Sequence, residues 1–244
     1  AKILVVLIGA LSGALLGMLI GYLKHRFNMN EVVVAIMLNY IISYVVSFFI
    51  QTRFIDPITR QSVAVTQNAR LTLFDYPVGS LKMEIALVFP LAILAVFAIK
   101  FVLDRTRFGF ELKAVGSNSK ASNYAGIQVG RAVVFTMIIS GALAGLAGVS
   151  YYLGSNASIQ PRVLPSLGFD AIAVALLGNT SAIGRFFASL LVMIFDCGTT
   201  YMSSRMQVLR EIAALITSIL LLFSAIGIFF RNLADRFQQE AEEV

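Results

Sequence analysis

The sequence predicts an all-α fold, a polytopic helical bundle crossing a membrane about six times within one transmembrane domain, residues 1–244. Three observations carry that prediction. Hydrophobic residues make up 58% of the chain and charged residues only 13%, about half the charged share of a soluble domain. The apolar residues fall in long runs, and about 20 residues suffice to cross a bilayer. Lys and Arg sit at the ends of those runs rather than together on a soluble face, so the net charge of +6 does not point to nucleic acid. The lone cysteine, Cys197, excludes an intrachain disulfide framework and a Cys-rich metal site. The lone histidine, His25, stands in Lys24-His25-Arg26 and reads as part of a solvated interfacial cluster.

Residues 3–23 form the first span. Gly9, Gly13, Gly17 and Gly21 recur at a spacing of four, along one ridge of a helix. Small residues so placed let a second helix approach closely, where van der Waals packing replaces the missing hydrophobic drive. The chain starts at Ala1 and is apolar by Ile3, in a run too long and Gly-rich for a signal peptide. It is therefore expected to begin inside a longer protein. After Lys24, His25 and Arg26, the stretch Asn28-Met29-Asn30-Glu31 restarts a helix. Residues 32–49 are the second span, with Asn39, Tyr40 and Ser43 inside it. Asn39 must find a partner in hydrocarbon, on a neighbouring helix or in a wet pathway. Residues 51–83 are too long and polar for a tight connection and read as a lobe outside the bilayer. Residues 85–101 are the third span, with a kink expected at Pro90.

The polar stretch 108–129 then separates two apolar runs. Residues 110–115 alternate loosely and Gly116 allows a turn. Ser117, Asn118 and Ser119 offer capping oxygens, residues 120–125 suit about two helical turns, and Gly126 is a stop. From 100 to 131 the cations Lys100, Arg105, Arg107, Lys113, Lys120 and Arg131 face only Asp104 and Glu111. Cation bias places the loop 104–131 in the cytoplasm. The Lys24–Arg26 connection, two crossings earlier, is then cytoplasmic too, and the 51–83 lobe external. A capped helix here is either an interfacial linker or a docking element for a cytoplasmic partner.

Residues 132–153 are the fourth span. Ser140, Gly141, Ala144, Gly145, Ala147 and Gly148 leave part of it nearly without side chains. Pro161 and Pro165 precede a hydrophobic run, 168–177, too short to span as a regular helix. A short, interrupted segment points to a translocation pathway, because irregular backbone survives only beside protein or water. Asp170 near its start either carries a functional or paired role, since an ionisable group at depth costs about 2.5–3.5 kcal/mol, or caps the helix at the outer interface. Residues 183–197 and 212–230 complete the spans, and 231–244 is an amphipathic tail. The tail lies in the cytoplasm if the short segment and the irregular stretch before it make a full crossing, which is the reading adopted; a re-entrant segment would put it outside.

No catalytic set, metal cluster or Walker A lysine appears, so the chain is not expected to be an enzyme, to hold a cofactor or to bind ATP by that route. Physical reading alone leaves a polytopic transport or scaffold protein with a short internal docking helix.

The run Arg107-Phe108-Gly109-Phe110-Glu111-Leu112-Lys113-Ala114-Val115-Gly116-Ser117-Asn118, continuing through Ala121-Ser122-Asn123-Tyr124-Ala125-Gly126-Ile127, resembles a cytoplasmic loop of bacterial ABC importer permeases. The branch is that of nucleosides and simple sugars, related to the ribose and branched-chain amino acid permeases. EVVVAIMLNYI (31–41) and GFDAIAVALLG (168–178) resemble an inner span and the short segment of that branch. The resemblance implies a type II ABC importer-like permease in the bacterial cell membrane, without the N-terminal spans of the full family. It also implies an ATP-binding subunit, a second permease subunit, homologous or identical, and an extracytoplasmic substrate-binding protein or lipoprotein. Gly116, Asn118, Ala121, Tyr124, Ala125 and Gly126 would belong to the coupling helix that docks on the ATPase. Asn39, Tyr40, Phe169 and Asp170 are the candidate path residues, each equally compatible with helix packing. Gly178 to Gly184 keeps a glycine turn with an altered sequence, and Arg185, Asp196 and Arg205 are more polar than the family pattern. The rival functions are an ion-gradient-driven secondary transporter and a non-transporting scaffold. The first would want paired membrane carboxylates, for which only Asp170 and Asp196 are candidates.

Overall fold

The computed structural model describes residues 2–57, 59–65, 72–78, 81–86, 88–156, 158–178 and 181–206, with Leu215, Ser218, Ile219 and Leu222. The expected last span 212–230 (those four apart), the tail 231–244 and Asn179-Thr180 lie outside the described residues. The chain divides into two compact units, Ala1–Leu164 and Pro165–Val244.

In the first unit, α1 (Lys2–Phe27) and α2 (Glu31–Phe49) are joined by a tight turn at Asn28, whose φ is +51°. Asn30 caps α2, its Oδ1 accepting from Val32 N at 2.9 Å. Lys24 reaches across the turn to Glu31 at 2.7 Å. A π-helical turn, Ile50–Phe54, extends α2. The segment that follows departs from the all-helical expectation: β1 (Thr72–Val78) and β2 (Leu81–Ala86) pair antiparallel, Val78 opposite Leu81 and Thr72 opposite Ala86.

Helix α3 (Val88–Arg105) starts later than expected, because residues 85 and 86 belong to β2. Pro90 is its third residue. It lies in the first turn, where its missing N–H has no intrahelical partner to lose, so it marks a helix start instead of the expected kink. Helices α4 (Arg107–Ser117) and α5 (Ser119–Tyr124) lead into α6 (Val129–Ser150), which ends in a second π-helical turn, Tyr151–Ser155.

Helices α1 and α6 are antiparallel, and their glycines face each other. A Cβ on Gly13 would strike the Gly141 carbonyl, and one on Gly141 the Gly13 carbonyl; Gly17 lies likewise on Met137, and Gly145 on Gly9. Towards the end of α1, a Cβ on Gly21 would be 3.0 Å from Val134 Cα, and the His25 ring occupies the space a Cβ on Gly130 would need. The contact is thus backbone on backbone, the packing that membrane helices use when hydrophobic drive is absent. At the opposite end, Ser62 N donates to Ile159 O (3.0 Å), Ile159 N to Ser62 Oγ (2.8 Å) and Arg162 N to the buried Ser47 Oγ (2.8 Å). Segments after α2 and after α6 therefore meet at one end, and the α1 terminus meets the α6 start at the other.

The second unit contains α7 (Leu167–Leu177) and α8 (Ala182–Met206). α8 runs beyond the expected end at 197. The hydroxyls of Thr199 and Thr200 both donate to the Asp196 carbonyl at 2.9 Å, so these polar residues are satisfied without leaving the helix. Gly178 and Arg185 approach so closely that a Cβ on Gly178 would lie 2.6 Å from Arg185 Cα. Among the described residues, four helices are long and apolar enough to cross a membrane: Lys2–Phe27, Glu31–Phe54, Val129–Gly154 and Ala182–Arg205. α3 carries Lys100, Asp104 and Arg105 in its 18 residues and is not among them.

Candidate functional site

The polar stretch between α3 and α6 is held as a folded elbow. Thr106 starts α4: its Oγ1 accepts from Gly109 N at 3.2 Å while its hydroxyl donates to Val102 O at 2.6 Å. Gly109 is buried against α3, and a Cβ there would collide with the Val102 carbonyl. Phe108 meets Phe135 of α6 edge to face, 6.4 Å between centroids, which fixes α4 on α6. Lys113 bonds Asp104 at 2.8 Å, and Arg107 bonds Glu111 at 3.0 Å. The hydrogen bond from Lys113, and then its charge, hold the Asp104 carboxyl below the usual carboxylate range, with Lys100 and Arg105 adding to the effect.

The loosely alternating run 110–115 is helical. Arg107, Phe110, Lys113 and Gly116 are exposed while Phe108, Gly109, Glu111, Leu112, Ala114 and Val115 are shielded, a period of helix and not of strand. Gly116 lies within α4 instead of making a turn. The chain bends one residue pair later, at Asn118, which ends α4 and caps α5; its Oδ1 accepts from Lys120 N (3.1 Å) and Ala121 N (3.0 Å). Gly126 stops the segment with φ +82°, its N–H donating to Asn123 O, while Ile127 N donates to Ser122 O, both at 3.0 Å.

Within α5, Ser122 is buried and its hydroxyl donates to Asn118 O at 2.9 Å. Ala121, Tyr124 and Ala125, spaced three and four apart, are all exposed, Tyr124 to 95%. This is a small flat face with one projecting aromatic ring, presented away from the rest of the first unit. Lys120 is exposed beside it. The six residues Gly116, Asn118, Ala121, Tyr124, Ala125 and Gly126 thus fall on one corner, from the end of α4 through α5. Residues the sequence reading missed, Thr106, Gly109 and Phe108, are those that lock this corner to α3 and α6. Thr106 three residues before Gly109, just after a basic helix end, was the available signal.

Asn39 and Tyr40 lie on α2 in the first unit, both exposed. Phe169 and Asp170 lie in the first turn of α7 in the second unit. Phe169 is exposed, and Asp170 accepts from Ser166 Oγ at 2.8 Å. Asp170 is therefore paired locally at a helix start, where a negative charge suits the helix dipole. Among the described residues no three His, Cys, Asp or Glu gather to hold a metal.

The family model described as branched-chain amino acid transport system / permease component matches residues 2–225. A nucleoside ABC transporter permease of Lactococcus lactis subsp. cremoris is 37% identical over 232 residues, 91% of this chain and 63% of that protein. A guanosine ABC transporter permease of Bacillus subtilis is 31% identical over 219 residues, 89% of this chain and 62% of that protein. A glucose ABC transporter permease of Haloferax volcanii is 27% identical over 223 residues, 85% of this chain and 56% of that protein. The chain thus spans less than two thirds of the length of these relatives. No solved structure matches it significantly.

Proposed function

The chain belongs to the branched-chain amino acid transport system permease component family, and from that membership we propose that it is a membrane permease subunit of an ATP-driven importer. Its cargo is a nucleoside or a related simple sugar, in keeping with its similarity to nucleoside, guanosine and glucose permeases. It hydrolyses nothing itself. An ATP-binding subunit docks on the cytoplasmic side, a second permease, homologous or identical, completes the path, and an extracytoplasmic binding protein or lipoprotein delivers the substrate. The assembly sits in the cell membrane with 104–131 and the C-terminus cytoplasmic and 51–83 outside.

The observation that carries this reading is the exposed face Ala121, Tyr124 and Ala125 on a helix capped at both ends. Two alanines leave room for a partner surface to close on the helix, and a nearly free tyrosine offers an apolar body with a polar tip, the type of anchor enriched at interface centres. The corner also has somewhere to send a displacement. α5 is joined to α6 through only residues 125–128, and α4 is pinned to α6 by Phe108 and Phe135. α6 in turn meets α1 backbone to backbone, so the pair has little slack. Closure of the ATPase pulls α5, and α6 with α1 rocks to open the path alternately to either side. Gly116 and Gly126 bracket the moving corner, while Asn39, Tyr40, Phe169 and Asp170 contribute to the path.

Replacing both alanines, Ala121→Asp with Ala125→Asp, places two charges on the docking face. Co-purification of the ATP-binding subunit and uptake should both fall more than about tenfold, since desolvating an unpaired charge at an interface costs several kcal/mol. Normal assembly with normal uptake would reject the docking role of α5.

A further inference from the structure

The last turn of α1 and the first turn of α6 meet where the His25 ring lies on Gly130. Arg26 and Arg131 each follow that contact by one residue. A helix turns by about 100° per residue, and in an antiparallel pair one such step on each helix leads to the same side of the seam. Both arginines are exposed. Three other cations of the first unit are paired: Lys24 with Glu31, Arg107 with Glu111 and Lys113 with Asp104, at 2.7, 3.0 and 2.8 Å. Arg26 and Arg131 have no acidic partner among the described residues. Arg26 instead lies 5.8 Å from the ring of Phe27, which is itself exposed.

The position along the bilayer normal matters as much as the charge. The 26 residues of α1 extend to roughly 39 Å, against a hydrocarbon core of about 30 Å, so a helix end emerges among the headgroups. An exposed aromatic beside a cation is the composition of that layer. We propose that Arg26 and Arg131, on one side of the His25–Gly130 contact, bind the phosphate of an anionic phospholipid headgroup. Two guanidinium forks on separate helices can share the oxygens of one phosphate and tie the end of α1 to the start of α6. The site requires only that α1 and α6 cross the bilayer; it does not depend on what the protein transports.

The test uses the full-length permease purified with its partner subunits, in mixed micelles with phosphatidylglycerol or phosphatidylcholine, and counts retained lipid by native mass spectrometry. The wild type should retain phosphatidylglycerol over phosphatidylcholine. Arg26→Gln with Arg131→Gln should lower retained phosphatidylglycerol about tenfold, as each basic residue near an anionic surface contributes several-fold. Arg26→Lys with Arg131→Lys should restore most of it, and Arg107→Gln, which removes a cation already paired, should change nothing. Undiminished phosphatidylglycerol in the double glutamine variant would overturn the proposal. So would displacement of the lipid by millimolar inorganic phosphate, which would make free phosphate the ligand. Loss of the ATP-binding subunit equally in both lipids would assign the arginines to a protein partner and overturn it as well.

Discussion

At the scale of single residues, Asn118 holds the proposed docking corner together. It is the C-cap of one helix and the N-cap of the next, and its one amide oxygen receives both Lys120 N and Ala121 N. Its carbonyl also accepts from Ser122 N and from the Ser122 hydroxyl. A helix of only six residues has no length from which to draw stability, so its geometry rests on such bonds. Asn118→Ala should cost about 1 kcal/mol of local stability and lower the ATPase rate coupled to substrate, with Asn118→Ser retaining most of it. An alanine variant as well coupled as the wild type would mean that α5 is held by other contacts. Lys120, exposed on the rim beside Tyr124, is expected to matter much less for docking.

Among elements, the α1–α6 seam is the feature most exposed to a single added methyl. Gly13 and Gly141 each sit on the other's carbonyl, whereas Gly148, on the same helix as Gly141, faces open space. Gly13→Ala should therefore lower the melting temperature of the purified protein, by about 1–3 kcal/mol of overpacking, while Gly148→Ala leaves it unchanged. Equal effects would mean that the seam gives way easily. The ridge on α1 was legible in the sequence because a spacing of four in glycine has few other uses in an apolar helix. Which glycines of α6 oppose it was not legible, since Gly141, Gly145 and Gly148 are equally small and only the partner's position separates them. α5 was legible from Asn118 and Gly126, both strong local signals. α4 was harder to read, because Phe108, Phe110, Leu112 and Ala114 mimic a strand's alternation; the local signal for a helix is the Thr106 cap, and packing on α3 and α6 reinforces it. The hairpin β1–β2 was missed although Gly79-Ser80 stands between two short runs, a known hairpin signal. Counting residues 51–83 as one polar lobe hid it.

For the molecule as a whole, the first unit gives the chain two distinguishable ends. One gathers Ser47, Gln61 and Ser62 with Ser158, Ile159 and Arg162; the other brings Lys24, His25 and Arg26 to Gly130 and Arg131. The cation-rich end is the one proposed to be cytoplasmic on its charge bias, and α5 joins α6 at that end. Sequence alone reached the same pairing of loops by counting crossings, a count that relied on a third span now seen to begin at Val88 and to carry three charged residues. The face of α5 is the proposed attachment point of the energy source, and cross-linking tests that most directly. With Cys197→Ser as background, a single Tyr124→Cys labelled with a thiol-attached benzophenone in the assembled transporter should, on irradiation, insert into a C–H bond of the ATP-binding subunit, and the adduct yield should change when ATP is added. Arg53→Cys, in the segment assigned to the opposite side, should form none. An adduct from position 53, or none from 124 in a transporter that still imports, would contradict the account.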